Sequence, residues 1–147
     1  MILHDTTIHV PGDPQTIGEI VDEFTLTENT SVYTYDTKRK KMKQSTIGLT
    51  KTTSSKDFIL IKTEDDDNLI ITLDHKVYDP ILKTWTRAQE LKCGQHVLNT
   101  ELEHIRVNET HRIRNTRADK VYTFSVPDYS CFFANNILIH NDYHYVQ

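Results

Sequence analysis

Residues 121–141 read VYTFSVPDYSCFFANNILIHN. Cys131-Phe132-Phe133-Ala134 and Ile137-Leu138-Ile139 are short apolar runs, with Asn135-Asn136 between them. A two-residue loop joining antiparallel strands needs positive φ at both centres. Asparagine tolerates that region better than any residue except glycine. The spacing therefore predicts a tight hairpin. Its second strand ends on His140-Asn141, and residues 142–147 form a short polar tail. Histidine and asparagine bring proton-transfer and amide chemistry to a position where a strand needs neither.

Outward from this hairpin, most of the chain falls into strand-length pieces. Residues 7–10, 31–35, 58–63, 69–73, 96–99 and 121–126 are rich in β-branched, aromatic and aliphatic residues, with Gly, Pro, Asn and Asp between many of them. That pattern predicts an all-β domain, a sandwich, barrel or other compact form. Two pieces break it. In TIGEIVDEF, Ile17, Ile20, Val21 and Phe24 fall on one helical face, with Thr16 placed to cap it. In TRAQELKCG, Ala88 and Leu91 share one face of a single turn that Gly94 ends. The basic run KRKKMK at 38–43 and the acidic run EDDD at 64–67 read as solvated hairpin tips. A sharper reading has them face each other, or steer two chain halves together. The Thr/Ser/Lys-rich segment 45–56 reads as mobile.

Bulk properties narrow the function. A chain of 147 residues suits one domain, and a formal net charge of −4 argues against a nucleic-acid partner. The apolar runs are too short to span a membrane. MILHDTTIHV lacks the basic region and apolar stretch of a secretory signal, so a cytoplasmic location is expected. Cys93 and Cys131 read as reduced, half-buried thiols rather than a disulfide framework. The eight histidines show no paired ligand spacing; His104 and His111 lie in a polar stretch, and neither a metal nor a cofactor is expected.

Three blocks occur in order. Asp5-Thr6-Thr7-Ile8 precedes Thr16-Ile17-Gly18-Glu19-Ile20. Then Ile71-Thr72-Leu73-Asp74-His75 leads into Val77-Tyr78, Trp85, Ala88, Glu90-Leu91, Gly94 and Val97. The 121–141 stretch comes last. In this order they resemble the splicing blocks of inteins, the self-excising members of the Hint superfamily. The gap between the middle and last blocks leaves no room for a homing endonuclease, so the chain resembles a mini-intein. The resemblance implies a curved, horseshoe-like Hint fold with one or two short helices. The splicing domain would span 1–141, with 142–147 as a downstream, extein-like flank. The partners implied are flanking extein polypeptides. A complementary intein fragment would join them if the natural form is split, for which the polar segment between Asp22 and Lys56 is tolerant.

The implied chemistry is single-turnover cleavage and ligation. A nucleophile at the first position attacks the preceding carbonyl. Thr72 and His75 match the family's T-x-x-H, His75 as proton donor to the departing amine and Thr72 as hydrogen-bond partner near the scissile carbonyl. At the other end, the Asn141 side-chain amide attacks its own backbone carbonyl, closing a succinimide and cutting the Asn141–Asp142 bond. Holding that near-attack pose can be worth about 7–11 kcal/mol. His140 would assist as acid or hydrogen-bond donor. Asp74, Thr123 and Ser130 are possible assisting residues.

Several positions depart from the family. Met1 stands at the upstream nucleophile, and a thioether has no proton to lose. Asp142 stands where Cys, Ser or Thr follows the domain. Ser130 occupies the place of a common histidine, and Thr123 that of a common acid. Two readings of Met1 and Asp142 stay open: an intein with its nucleophiles substituted, or a Hint domain that cleaves only at its C-terminal side. A β-rich, non-catalytic interaction module is the alternative outside the family.

Overall fold

The computed structural model describes residues 1–22 and 30–141. Phe24, from the expected helix face, and the flank 142–147 lie outside the described residues. In chain order the elements are β1 (Ile2–Leu3), β2 (Thr7–Ile8), β3 (Gln15–Thr16), α1 (Ile17–Asp22), β4 (Ser31–Asp36), β5 (Lys41–Thr46), β6 (Thr50–Thr63), β7 (Asn68–Thr72), β8 (Lys76–Asp79), β9 (Thr84–Arg87), a 3-10 turn (Ala88–Glu90), β10 (His96–Leu98), β11 (His104–Phe124), β12 (Cys131–Ala134) and β13 (Ile137–His140). The protein is mostly β, as its alternating pattern predicts.

A five-stranded sheet runs β1-β7-β6-β11-β10, and β1 pairs with β11 as well as β7. Ile2 lies opposite both Ile71 and Tyr122, so this two-residue strand closes β7, β6 and β11 into a ring. A six-stranded sheet runs β3-β2-β12-β13-β8-β9, and β4-β5 forms a separate hairpin. The β12–β13 hairpin is buried on both faces. Phe132, Ala134, Ile137 and Ile139 join the main core with Ile2, Ile71 and Phe124. Cys131, Phe133 and Leu138 join a second cluster with Tyr35 and Tyr78. Ile2 is fully buried at the ring closure. Ile2→Ala is expected to cost about 2–5 kcal/mol, read as a lower urea midpoint with little change in slope.

Local chemistry explains the elements that the sequence predicts. Asn135 and Asn136 both take positive φ, 44° and 67°, as a tight hairpin turn requires. Thr16 caps α1: its Oγ1 accepts the Glu19 N–H at 3.2 Å and donates to the Glu19 carboxylate at 3.1 Å.

The structure also corrects several expectations. The segment expected to be mobile is largely strand, the end of β5 and the start of β6, and its backbone pairs with β4 and β11. The polar stretch after His104 is one 21-residue strand. The turn expected to run to Gly94 ends at Glu90, and Gly94 instead serves a tight turn at φ 92°. The thiols are not half-buried: Cys93 is exposed and Cys131 buried, and both are free. The acidic run sits at a hairpin tip, while the basic run begins in the β4–β5 turn and continues into β5 from Lys41. The acidic tip bonds to residues outside the basic run: Glu64 accepts the Arg106 N–H, and Asp67 accepts from Asn136. Among the described residues no helix is long and apolar enough to cross a membrane.

Candidate functional site

Strand register assembles the site. Ile2 lies opposite Ile71 on one side and Tyr122 on the other, so Met1 falls level with Thr72 and Thr123. The Thr72 N–H donates to the Met1 carbonyl at 2.9 Å. The Met1 nitrogen donates to Thr72 Oγ1 at 2.5 Å. Main chain and side chain of Thr72 thus grip the first residue from both ends.

His75 sits in the turn after β7, where its N–H donates to the Thr72 carbonyl at 3.2 Å. The 3-10 turn holds this loop from behind: the Ala88 N–H donates to the His75 carbonyl at 2.8 Å, and the Gln89 N–H to the Leu73 carbonyl at 3.0 Å. The imidazole is 1% exposed. Its Nδ1 contacts the Met1 nitrogen and its Nε2 contacts the His140 carbonyl oxygen. A carbonyl can only accept, so Nε2 carries the proton. In the neutral ring, Nδ1 then offers its lone pair to Met1. Donation to a departing amine at Met1 requires a second proton, the imidazolium form.

At the other end, Asn141 is 3% exposed. Its N–H donates to the Ser130 carbonyl at 2.9 Å, and its own carbonyl accepts from Thr123 Oγ1 at 2.7 Å. Thr123 is fully buried, so its hydroxyl meets that carbonyl without competing water. Ser130 lies in the left-handed region at φ 58° and takes part through its backbone oxygen, a role that does not depend on side-chain type. The half-buried His140 ring packs edge-on against Trp85, with centroids 5.1 Å apart at 85°.

The structure therefore brings together Met1, Thr72, His75, Thr123, Ser130, His140 and Asn141. Asp74 points elsewhere: it is exposed and accepts from Gln89 at 2.9 Å and Arg87 at 3.5 Å. Asp142 lies outside the described residues. Cys131 lies opposite His140 but is turned toward β4, with its thiol donating to the Tyr35 carbonyl at 3.3 Å. Burial pushes that thiol's pKa up, which suits a core residue and not a nucleophile. Sequence reasoning did not assign a role to Trp85; a lone tryptophan in a short strand carries no signal of what it packs on.

The arrangement is suited to acyl chemistry at two backbone positions. One imidazole touches the nitrogen of residue 1 and the carbonyl of residue 140. A buried hydroxyl donates to the carbonyl oxygen of residue 141 and so polarises the carbon that a side-chain amide would attack.

Comparison with known proteins supports the fold. No protein-family model and no curated protein matches the sequence. Solved structures do match over nearly the whole chain. The DnaB intein from Synechocystis sp. PCC 6803 aligns with a TM-score of 0.82 and 20% identity, over 97% of this chain and 98% of that one. A bacterial intein-like domain from Clostridium thermocellum aligns at 0.84 and 19%, over 95% and 97%. The TvoVMA intein aligns at 0.82 and 19%, over 95% and 96%. The chain has the intein (Hint) fold, at the size of a mini-intein.

Proposed function

We propose that this chain is a self-processing intein domain whose upstream step is blocked at Met1 and whose downstream step, at Asn141, is intact. The observation that carries the proposal is the His75 imidazole, which contacts the Met1 nitrogen and the His140 carbonyl together. Excision with ligation needs both junctions at one site, and a single buried ring in contact with residue 1 and with the residue before Asn141 supports that reading.

In the full reaction a residue-1 thiol or hydroxyl attacks the preceding carbonyl and the C–N bond breaks. The amine of residue 1 takes its proton from His75, while Thr72 orients it. The acyl group passes to a nucleophile at position 142. The Asn141 Nδ2 then attacks the Asn141 carbonyl carbon, the bond to residue 142 breaks, and the released amine is protonated with help from His140. Thr123 stabilises the oxygen of that carbonyl as charge develops. A final shift of the acyl group onto the freed amine joins the flanks. Met1 cannot begin this sequence, and Asp142 cannot receive the acyl group. The domain spans 1–141, with 142–147 as downstream flank. Its partners are flanking exteins, joined by a complementary fragment if the natural form is split, and its location is that of its host, the cytoplasm. It turns over once and uses no cofactor.

A second reading, a Hint domain that cleaves only at its C-terminal side, is favoured by one observation: the Asn141 carbonyl accepts a hydrogen bond from the buried Thr123 hydroxyl although residue 1 lacks a nucleophile. The test fuses a stable protein to each end of the chain. The expected result is slow release of the downstream protein with the upstream junction intact. No release at either junction over days, from a chain folded by circular dichroism, leaves a non-catalytic module.

A further inference from the structure

We propose that Trp85 is a positioning residue for the His140 imidazole, an inference that rests on the self-processing reading above. The backbone of His140 is held by its carbonyl contact with His75 and by pairing of β13 with β12. Both are backbone contacts, and the ring geometry is set by what the side chain packs on. An imidazole on a strand can adopt several rotamers, and only some bring a ring nitrogen to the Asn141–Asp142 bond. Misplacement of a catalytic group by about 1 Å can cost on the order of 10²-fold.

Trp85 supplies a wall for that ring. It lies on β9, the edge strand of the six-stranded sheet, two strands from β13. From there the indole reaches across to the His140 ring, 5.1 Å away and nearly perpendicular. The indole is itself braced: Tyr78 lies opposite Trp85 in the β8–β9 register, their rings 5.0 Å apart and tilted by 54°. Tyr78 in turn meets Tyr35 of β4 at 6.2 Å. A chain of rings anchored in the second apolar cluster thus ends on the imidazole beside the cleavage point. Edge-to-face contact is a favoured geometry for such rings and limits rotation of the smaller one. Both Trp85 and His140 are half-buried, so the indole supports the imidazole at the rim of the core, next in sequence to the residue whose bond is cleaved.

The test is a double-mutant cycle on cleavage of the Asn141–Asp142 bond, followed by mass spectrometry on the full chain. Trp85→Leu is expected to slow cleavage about 10-fold in the parent, a tenth of the loss that a fully misplaced group can bring. In a His140→Ala background the same change is expected to slow it by less than about 2-fold, because a positioning residue has nothing left to position. Equal slowing in both backgrounds overturns the inference and makes Trp85 a structural residue. So does no slowing in the parent. Trp85→Phe, which keeps a ring against the imidazole, is expected to stay within about 2-fold of the parent; if the Leu variant does not fold, Trp85→Met, which fills the space without a ring, is carried through the same cycle in its place. A parent that never cleaves at Asn141 overturns the self-processing reading, and the inference with it. A parent that cleaves while the cycle is additive overturns the inference alone.

Discussion

Met1→Cys combined with Asp142→Ser or Asp142→Cys is expected to turn a fusion that cannot ligate its flanks into one that splices. The effect is from no ligated product to a ligated band, since a thioether offers no route to an acyl intermediate and a thiolate does. The receiving geometry is in place: the residue-1 nitrogen lies against Thr72 Oγ1 and His75 Nδ1, and the residue-1 carbonyl accepts from the Thr72 N–H. Adding His75→Ala to the double variant should remove most of that gain. General acid assistance is typically worth 10²–10⁴-fold, and here the same ring also holds the His140 carbonyl. Gel analysis of a fusion under reducing conditions is sufficient. A double variant that is folded and still unprocessed would mean that Met1 does not occupy a nucleophile's place.

Asn141→Ala is expected to abolish loss of the 142–147 flank, which the unaltered chain should shed slowly in solution. Succinimide formation needs no upstream chemistry, only the side-chain amide, and alanine has none. Thr123→Val should slow the loss on the order of 10²-fold, the cost of removing one donor from a developing oxyanion. Valine keeps the shape of threonine in a site that is fully buried, so the fold should survive. Thr123→Ser, which keeps the hydroxyl, should stay within a few-fold of the parent. His140→Ala should slow the loss on the order of 10²-fold if the ring supplies acid assistance. Mass spectrometry over days at mild temperature separates these outcomes. Equal loss from the parent and Asn141→Ala would assign the cleavage to an external protease.

Much of this was local and therefore readable from the residues alone. The Asn135-Asn136 turn follows from the φ tolerance of asparagine, the Thr16 cap from a hydroxyl placed before an apolar helical face, and the all-β character from period-two alternation. The order of blocks ending in His140-Asn141 pointed to the fold that the solved inteins share. Tertiary structure decided the rest, because it rests on pairing between distant segments. The long polar β11 and the Thr/Ser/Lys-rich start of β6 have little apolar alternation; each is a strand because the other supplies its backbone hydrogen bonds. β1 is two residues long, too short for any periodicity, yet it closes the ring and sets Met1 level with Thr72 and Thr123. Thr123 and Ser130 share the 121–141 block with Asn141, but that the first meets it through a hydroxyl and the second through a main-chain carbonyl followed from the fold. Residue identity determined which chemistry is available. Register, set by long-range hydrogen bonding and burial, determined which atoms face one another to carry it out.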